Sequence, residues 1–348
     1  MNKICFIIDS IKNSGGRERV ISLLSNEFSK ENDIYILVLD DCNKSFYKLE
    51  EKIKIINLNG KNKIDILVKL NKFFKVNKDM IYITLSMRYL NLFVGVASTF
   101  TNSKIIATEH CDYFTTPKLV RGLKRVFYKN FKYVVTLTEK DRDIIKKWFD
   151  KCIQINNPCS FKGEKVSKYK NKILLNVGRL TEQKGQDMLL KAWSLVNKQD
   201  WKLRIVGDGE LKTSLINEAK ELNISDSVEF VNPTKNIEEI YAKADIFVLS
   251  SRWEGLPMVL IEAMSCGLPC ISFDCETGPR QLISNKKNGF LVEPNNIRSL
   301  SNKIQYLIEN ENRIIEMGKN SIEKSKEFDI SNISHKWYEL IEKINVRE

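Results

Sequence analysis

Two carboxylates, Glu254 and Glu262, flank the predicted start of a helix and form the most specific chemical pattern in the chain. The apolar run 246–249 precedes Glu254, Pro257 suits a first helical turn, and Gly267 suits a helix end. Five residues of helix separate Pro257 from Glu262, which is roughly 7–8 Å along the axis. Because the N–H groups at a helix N-terminus attract anions, the two carboxylates could bracket a ligand whose phosphate lies between them.

Two cations, Arg179 and Lys184, follow a second apolar run, 173–177, and precede another helical pattern. Arginine offers a fork of N–H donors and lysine a point charge, so the pair suits a diphosphate. The alternative is two solvated surface charges, which is the usual state of such a pair. For Glu262 the alternative is a salt bridge on an exposed helix face, but its apolar neighbours, such as Ile261, argue against a fully exposed face.

A glycine pair, Gly15 and Gly16, lies between the first predicted strand and the first predicted helix. Glycine lets the backbone approach a ligand closely, and the helix start again offers free N–H groups. The alternative is an ordinary glycine turn. The loop lacks the G-x-G-x-x-G spacing, so the nicotinamide-binding fingerprint is absent.

Each of these three motifs lies at a predicted strand-to-helix junction, and parallel sheets would hold such junctions in place. Strands are predicted at 3–8, 33–39, 54–58, 80–85, 104–108 and 133–138, and again at 173–177, 203–206, 228–231, 246–250, 270–273 and 290–292. Helical patterns lie between most of them, and this alternation predicts α/β folding with helices on both faces of each sheet. Ligands bind such sheets at the carboxyl ends of the strands, where the junctions fall.

The length of 348 residues is sufficient for two domains. The polar stretch 160–172 lacks periodicity and is interpreted as the interdomain linker. We therefore predict one Rossmann-like domain over residues 1–157 and a second over residues 170–325. The tail, including 331–348, is predicted to be helical.

Composition narrows the function classes. The chain is 43% hydrophobic and 29% charged, as in soluble globular proteins, and no apolar run reaches the length of a membrane-spanning helix. Its eight cysteines form no C-x-x-C pair, which indicates free thiols in a reducing cytoplasm. It has only two histidines, His110 and His335, so a His-rich metal site is excluded.

The net charge of +12 indicates an anionic partner. Segment 117–132 carries six basic side chains and no acid; the six are Lys118, Arg121, Lys124, Arg125, Lys129 and Lys132. Val120, Leu123, Phe127 and Phe131 recur there at helical spacing, which is typical of a helix that lies on an anionic membrane surface. Alternatively, this apolar stripe packs on the domain's own sheet. No RNA-binding motif, zinc spacing or helix-turn-helix pattern is present, so no nucleic-acid partner is predicted.

Taken together, these motifs identify a family. Glu254 to Glu262 is an E-x7-E motif, and with the Gly15-Gly16 loop, Arg179, Lys184 and the Gly-Asp-Gly-Glu run at 207–210 it resembles retaining glycosyltransferases of family 4. The resemblance extends over essentially the whole chain. It implies the GT-B fold, in which two Rossmann-like domains face a central cleft. Among its members the chain looks most like bacterial enzymes that extend lipid-linked glycans, including N-acetylgalactosaminyltransferases acting on undecaprenyl-diphosphate sugars.

The resemblance implies transfer of a hexose or N-acetylhexosamine from UDP-GalNAc, UDP-GlcNAc, UDP-Gal or UDP-Glc to a polyprenyl-diphosphate-linked glycan. The expected setting is surface polysaccharide biosynthesis, such as lipopolysaccharide or capsule, at the inner face of the cell membrane. No metal or other cofactor is expected. Domain 1–157 would serve the acceptor and domain 170–325 the nucleotide sugar, with the helix 331–348 packing back on the first domain.

The resemblance also implies residue roles. Arg179 and Lys184 would hold the donor diphosphate and stabilise the leaving group. Glu254 would contact the donor sugar, and Glu262 would hydrogen-bond the ribose diol. His110 would touch the transferred sugar, although without the resemblance a satisfied loop histidine is the simpler interpretation.

Backbone groups complete the implied donor site. The segment Gly255–Pro257, which includes Leu256, would bind phosphate and sugar hydroxyls. Val259 belongs to the same donor-binding set, and Gly15 and Gly16 would approach the phosphates from the first domain.

Two competing interpretations need weighing. Asp141 and Asp143 form a D-x-D, the metal signature of the other glycosyltransferase fold, but Thr138 and Asp141 fit a helix-capping box instead. The alternative function is a sugar-nucleotide epimerase of the same fold. An epimerase needs acid/base groups for proton abstraction, which neither the glutamate pair nor the sparse histidines favour.

Overall fold

The computed structural model describes residues 1–13, 15–40, 44–87, 89–110, 113–159, 161, 166–234, 236–275 and 277–345. Cys42, Cys111, part of the expected linker and the last three residues of the expected terminal helix lie outside the described residues. The chain divides into two compact units, Met1–Ser160 with Ile330–Glu348, and Phe161–Asp329. We call them unit 1 and unit 2.

Unit 1 contains a seven-stranded parallel sheet. Its strands are β1 (Lys3–Ile8), β2 (Asp33–Val38), β3 (Lys54–Asn57), β4 (Met80–Thr84), β5 (Lys104–Glu109), β6 (Tyr133–Thr136) and β7 (Cys152–Gln154). The helices between these strands are α1 (Gly16–Phe28), α2 (Lys63–Val76), α3 (Leu90–Ala97), α4 (Lys118–Phe127) and α5 (Glu139–Lys146). The order β3-β2-β1-β4-β5-β6-β7 reverses between β1 and β4. Such a reversal opens a crevice at the carboxyl ends of those two strands.

Unit 2 repeats the plan with six parallel strands. They are β8 (Ile173–Val177), β9 (Lys202–Val206), β10 (Val228–Val231), β11 (Ile246–Leu249), β12 (Cys270–Phe273) and β13 (Gly289–Val292), joined by α6 (Gln186–Ser194), α7 (Lys212–Glu221), α8 (Ile237–Ala242), α9 (Met258–Ser265), α10 (Pro279–Leu282), α11 (Ile297–Glu309) and α12 (Glu311–Ser325). The order β10-β9-β8-β11-β12-β13 reverses between β8 and β11. The switch point of this sheet therefore lies between the strands that precede Arg179 and Glu254.

The two parallel-sheet Rossmann-like folds predicted from the sequence are confirmed. Every predicted strand is present, with its ends within two residues of the prediction. The central strands β1, β4 and β11 are buried along almost their whole length, which is why they appear in the sequence as continuous apolar runs rather than alternating ones. β7 was not predicted, because a strand of three residues at the sheet edge carries too little pattern.

The stretch 160–172 does not behave as a free linker where it is described. The Phe161 ring stacks edge-on against Tyr241 at 5.4 Å between centroids. The Ser167 hydroxyl donates to the Ala244 carbonyl at 2.5 Å, and the Tyr169 hydroxyl donates to the Gly267 carbonyl at 2.8 Å. Unit 2 therefore begins at Phe161, earlier than residue 170, because these polar and aromatic side chains have partners within it.

The terminal helix α13 (Ile330–Asn345) packs on α1 of unit 1. The rings of Phe28 and Tyr338 lie 5.0 Å apart, and Trp337 is buried. Among the described residues, no helix combines the length and the apolar character required to cross a bilayer.

The basic segment 117–132 contains α4 and the turn that follows it, but its side chains are arranged differently from the expected stripe. Phe131 and Lys124 are buried, with 4% and 2% of their surface exposed. The side chains that do point outward from α4 include Leu119 and Val126, at 77% and 60% exposure. Part of the predicted stripe thus packs inward, and an apolar face that was not predicted is solvent-exposed.

Candidate functional site

The central feature of unit 2 is an ion pair across its switch point. Lys184, from the loop after β8, lies 2.6 Å from Glu254 Oε1, from the loop after β11. The Ser251 hydroxyl donates to the same oxygen at 2.6 Å. Glu254 is buried and Lys184 is nearly so, at 7% and 16% side-chain exposure. An ammonium has three donors, and only one is needed for Glu254, so Lys184 can donate to a second anion as well.

A close packing of the two loops fixes this pair. Gly185 adopts a left-handed conformation with φ of 63°, and a Cβ there would lie 2.2 Å from the Ser250 carbonyl oxygen. The Ser250 hydroxyl in turn donates to the Lys184 carbonyl at 2.9 Å. Only glycine permits this approach, so Gly185 sets where the Lys184 side chain begins.

A second ion pair braces the same loops. Arg252 donates to both carboxylate oxygens of Asp187, at 2.9 Å and 2.7 Å. Burial alone would raise the pKa of Asp187, but the hydrogen bonds and charge of Arg252 hold it below its usual value. The Gln183 side chain also donates to the Trp253 carbonyl at 3.0 Å, which ties the residue before Glu254 to the Lys184 loop.

The start of α9 provides backbone donors beside the pair. The helix begins at Met258, with Pro257 as N-cap and without a side-chain cap. Its first N–H groups therefore have no intrahelical acceptor, as at any helix start. Leu256 and Pro257 are buried, whereas Gly255 and Val259 are partly exposed. This geometry suits an anion above Gly255.

Gly278, the N-cap of α10 after the neighbouring strand β12, packs against that turn. Its φ is 87°, and a Cβ there would lie 1.9 Å from the Gly255 carbonyl oxygen. The Thr277 hydroxyl donates to the Glu254 carbonyl at 2.5 Å. Neither residue was predicted, although the Gly278–Pro279 dipeptide marks a helix start and could have indicated a close approach.

Glu262 lies within α9 and is almost fully buried. The Tyr241 hydroxyl donates to its Oε2 at 3.1 Å. The expectation that Glu262 does not lie on an exposed face is confirmed. The contribution of Tyr241, from α8, had no signal in the sequence, because it depends on how α8 packs on α9.

Arg179 extends from the loop after β8 and is exposed. The Gln186 side chain donates to its carbonyl at 3.1 Å, so the backbone is held while the guanidinium is left without an ion-pair partner among the described residues. The loop also packs against the Gly-Asp-Gly-Glu run, since a Cβ on Gly207 would lie 1.9 Å from the Gly178 carbonyl oxygen. The structure thus brings Arg179, Lys184, Glu254 and the α9 start to one edge of the unit 2 sheet.

The glycine pair lies in unit 1. α1 begins at Gly16 with Gly15 as N-cap, as predicted for a helix start. A Cβ on Gly15 would lie 2.3 Å from Glu18 Oε2, so the Glu18 carboxylate currently rests against this turn. Arg17 donates to Asp9 and to the Leu85 carbonyl, both at 2.9 Å, and joins the carboxyl ends of β1 and β4.

His110 follows β5 at the same edge of the unit 1 sheet. Its backbone N–H donates to the Ser86 carbonyl at 2.9 Å, and it lines a narrow pocket with Leu85 and Trp337. Burial, and to a lesser degree the charge of Arg17, lowers the pKa of His110 to about 3. The imidazole is therefore neutral near pH 7 and can hydrogen-bond a ligand without adding charge.

The state of His110 predicts how stability responds to acid. The unfolded chain protonates this histidine near its ordinary pKa of about 6.5, whereas the folded chain does so only near 3. The free energy of unfolding should therefore fall as pH drops below about 6.5, by about 2 kcal/mol between roughly pH 7.5 and pH 5 from this residue. Urea unfolding at the two pH values should show that His110→Gln loses about 2 kcal/mol less free energy of unfolding than wild type.

The other histidine is a matched control. His335 has 76% of its side chain exposed, so His335→Gln should follow the wild-type pH dependence. An acid loss in His110→Gln equal to that of wild type would show that His110 is not held neutral by the fold.

Asp141, the first carboxylate of the D-x-D, takes the helix-capping role predicted for it. The Thr138 side chain accepts from the Asp141 backbone N–H as N-cap of α5. The Asp141 carboxylate accepts from Thr138 and from the Tyr113 backbone N–H, at 2.6 Å and 2.9 Å, and Asp143 pairs with Arg142. Both carboxylates are thus occupied by protein partners.

The chain is similar to known glycosyltransferases in sequence and in fold. Residues 160–327 match the sequence profile of the family described as glycosyl transferases group 1. The chain is 32% identical to the amylovoran biosynthesis glycosyltransferase AmsD of Erwinia amylovora, over 98% of this chain and 100% of that one. It is 31% identical, over 99% of each chain, to a Campylobacter jejuni N-acetyl-D-galactosaminyltransferase whose named substrate is a glycan on diphospho-undecaprenol.

Among solved structures, Anabaena HepE in complex with UDP and glucose superposes with a TM-score of 0.85 at 18% identity, covering 99% of this chain and 100% of that one. At this identity the likeness supports the GT-B fold alone, as predicted. The epimerase alternative finds no support among these relatives.

Proposed function

The chain belongs to the glycosyl transferases group 1, and we propose that it is a retaining enzyme that uses a UDP-sugar and a lipid-linked glycan. The transferred group would be a hexose or N-acetylhexosamine, and the setting bacterial surface polysaccharide biosynthesis. One observation carries the proposal: the buried Lys184–Glu254 pair lies at the switch point of unit 2, beside the start of α9. Relatives named for polysaccharide biosynthesis and for a diphospho-undecaprenol acceptor support the substrate classes.

Unit 2 would bind the donor. Arg179 and Lys184 would contact the diphosphate, and the backbone N–H groups of Gly255, Leu256 and Met258 would also donate to it. As the bond from the sugar to the diphosphate breaks, negative charge builds on the departing oxygen, and the fixed ammonium of Lys184 would stabilise it. These cations would take the place of a metal ion.

The two glutamates would bind the other two parts of the donor, the transferred sugar and the ribose. Glu254 Oε1 accepts hydrogen bonds from Lys184 and from the Ser251 hydroxyl. These bonds would orient the carboxylate to accept further hydrogen bonds from sugar hydroxyls. Glu262 is held by Tyr241 through Oε2 and would accept from the ribose diol. Leu256 and Val259 would line the donor beside Gly255.

Unit 1 would serve the acceptor and the reacting sugar. Neutral His110 would hydrogen-bond the transferred sugar, and Gly15 and Gly16 would approach the phosphates. The Glu18 carboxylate lies against Gly15 in this structure, so an anion bound at that turn would have to displace it.

A donor and acceptor panel tests this function. Each of the four UDP-sugars should be offered with and without a polyprenyl-diphosphate-linked glycan. The glycan products are identified by mass spectrometry, and the nucleotide sugars, whose epimers have equal mass, by chromatography against standards. We expect a mass increase of one sugar on the acceptor with one preferred donor. Conversion of a UDP-sugar without acceptor would overturn the proposal in favour of an epimerase.

We also propose that unit 1 lies on the inner face of the cell membrane through α4. Leu119 and Val126 project outward, and the exposed cations Lys118, Arg125 and Lys129 surround them. An outward apolar face bordered by cations favours an anionic bilayer. A lipid-linked acceptor makes this position useful, because its sugars lie near the headgroups.

The neighbouring helices extend the same surface. α2 packs on α3, and α3 packs on α4, so the three form one layer of unit 1. Ile64 and Val68 of α2 are exposed at 74% and 62%, and Phe100 after α3 at 96%. Basic residues of α2 and its flanks add to the charge; they are Lys61, Lys63, Lys72, Lys75 and Lys78.

Vesicle sedimentation tests the membrane surface. Replacing Lys118 and Lys129 by Gln removes two exposed cations, each worth about 1 kcal/mol near an anionic bilayer. Binding to phosphatidylglycerol vesicles should weaken about thirtyfold and fall with salt, and neutral phosphatidylcholine vesicles should bind little. Lys220→Gln with Lys319→Gln, two exposed positions of unit 2, is the matched control and should bind as wild type. Equal loss in both variants would reject α4 as the contact.

A further inference from the structure

A buried polar cluster lies around Glu109, the last residue of β5 and the residue before His110. Lys124 Nζ lies 2.9 Å from both carboxylate oxygens of Glu109, and the side chains of the two residues are only 3% and 7% exposed. The Tyr128 hydroxyl and Asn91 Nδ2 also donate to Glu109 Oε1, the latter at 3.0 Å. Asn91 Oδ1 accepts from Thr84 at 2.5 Å, so the cluster joins α3, α4 and strands β4 and β5.

Stability alone does not account for this cluster. Removing two charges from water costs several kcal/mol per ion, and apolar side chains of similar volume are often as stable or more so. Lysine is almost never fully buried unless it is paired. An ion pair in this position does, however, hold its partners in one geometry, because each lost hydrogen bond would leave a buried charge unsatisfied.

The geometry held in this way is that of His110. Glu109 immediately precedes it and ends β5. The Asn91 backbone N–H donates to the Ser86 hydroxyl at 3.2 Å, and the Ser86 carbonyl accepts from the His110 N–H at 2.9 Å. A closed circuit of contacts thus runs from His110 through Ser86, Asn91 and Glu109 back to His110.

The same cluster anchors α4 from inside. Lys124 reaches inward from the helix whose outer face carries Leu119 and Val126. On the flank, α4 approaches α3 closely, since a Cβ on Gly95 would lie 2.9 Å from Phe127 Cβ. The position of α4 and the position of His110 therefore depend on one buried salt bridge.

We propose that Glu109 and Lys124 are positioning residues for His110, which they place for contact with the transferred sugar. This inference rests on the role of His110 in the proposed function. Neither residue touches substrate; they act through the β5 end and the Ser86 contact.

The test replaces both charges together by residues of similar shape, Glu109→Gln with Lys124→Met, so that no unpaired charge remains buried. Lys3→Met with Asp79→Asn, an exposed pair at the opposite end of the β1 strand, is the matched control. Both variants should fold and bind UDP within about twofold of wild type. The Glu109/Lys124 variant alone should lower kcat about ten- to a hundredfold, because a displacement near 1 Å has effects of that order.

Two readouts separate positioning from a merely structural role. In a His110→Gln background, the Glu109/Lys124 changes should lower kcat by less than about twofold further, because their effect passes through His110. The chain has two histidines, so 13Cε1-histidine NMR gives two resonances, assigned by His335→Gln. The His110 resonance should move in the Glu109/Lys124 variant and stay in place in the control.

The inference would be overturned if the Glu109/Lys124 changes lowered kcat by the same factor in the His110→Gln background as in wild type. It would also be overturned if the His110 resonance did not move. A separate outcome concerns the proposed function. If His110→Gln alone keeps wild-type turnover, the role of His110 fails; the resonance then decides whether the pair positions that residue.

Discussion

Lys184→Met should lower turnover about a hundred- to a thousandfold even at saturating donor. The ammonium is fixed by Glu254 at 2.6 Å and would face the charge that develops on the leaving diphosphate. Loss of one preorganised donor of this kind costs about 2.7–4 kcal/mol in the transition state. Steady-state kinetics at several donor concentrations should show the loss in kcat rather than in KM alone.

Three companion variants make the Lys184 result specific. Lys184→Met leaves the buried Glu254 carboxylate unpaired, so Lys184→Met with Glu254→Gln separates a folding defect from a catalytic one. That double variant should restore thermal stability, which shows whether the unpaired carboxylate destabilises the single variant. Its turnover reports on both residues, because Glu254 is itself proposed to contact the sugar. Lys184→Arg keeps the charge and should retain more activity than Lys184→Met. Lys191→Met, an exposed lysine of α6 paired with Glu218, should behave as wild type; near-normal kcat in Lys184→Met would reject the proposed role.

Glu262→Ala should weaken UDP binding by about 1.5–3 kcal/mol, roughly ten- to over a hundredfold. The buried carboxylate is held by Tyr241 at 3.1 Å and would accept charge-assisted hydrogen bonds from the ribose. Isothermal calorimetry with UDP measures the loss directly, and uridine should lose a similar free energy because the ribose is common to both.

Tyr241→Phe should weaken UDP binding less than Glu262→Ala, since the carboxylate stays and loses only one partner. Glu218→Ala, a helix glutamate on α7 of the same unit, is the control for removing a carboxylate. Wild-type UDP affinity in a folded Glu262→Ala protein would mean that the ribose binds elsewhere.

The sequence predicted those parts of the fold whose signals are local. Continuous apolar runs identify buried parallel strands such as β1 and β11, and the residues after them identify the sheet edge where Arg179 and Glu254 meet. The helix-start signal of Pro257 and the helix-end signal of Gly267 also placed Glu262 within a helix. These inferences depend on neighbours in sequence and on the general rule for ligand sites in parallel sheets.

Other features depend on contacts between distant segments. Lys124 was interpreted as a lipid-facing cation, because a lysine in a basic helix is normally exposed. Its pairing with Glu109 requires α4 to dock at the end of β5. The closeness of Gly278 to Gly255 and of Tyr241 to Glu262 likewise follows only from packing. No spacing in the sequence encodes these distances.

Transfer from a UDP-sugar to a polyprenyl-linked glycan in the presence of EDTA tests the central claim most directly. We predict product only when donor and acceptor are both present, with a rate unchanged by the chelator, because on the proposed function Arg179 and Lys184 would supply the positive charge at the diphosphate. Activity lost in EDTA and restored by manganese or magnesium would contradict the account and return attention to Asp141 and Asp143.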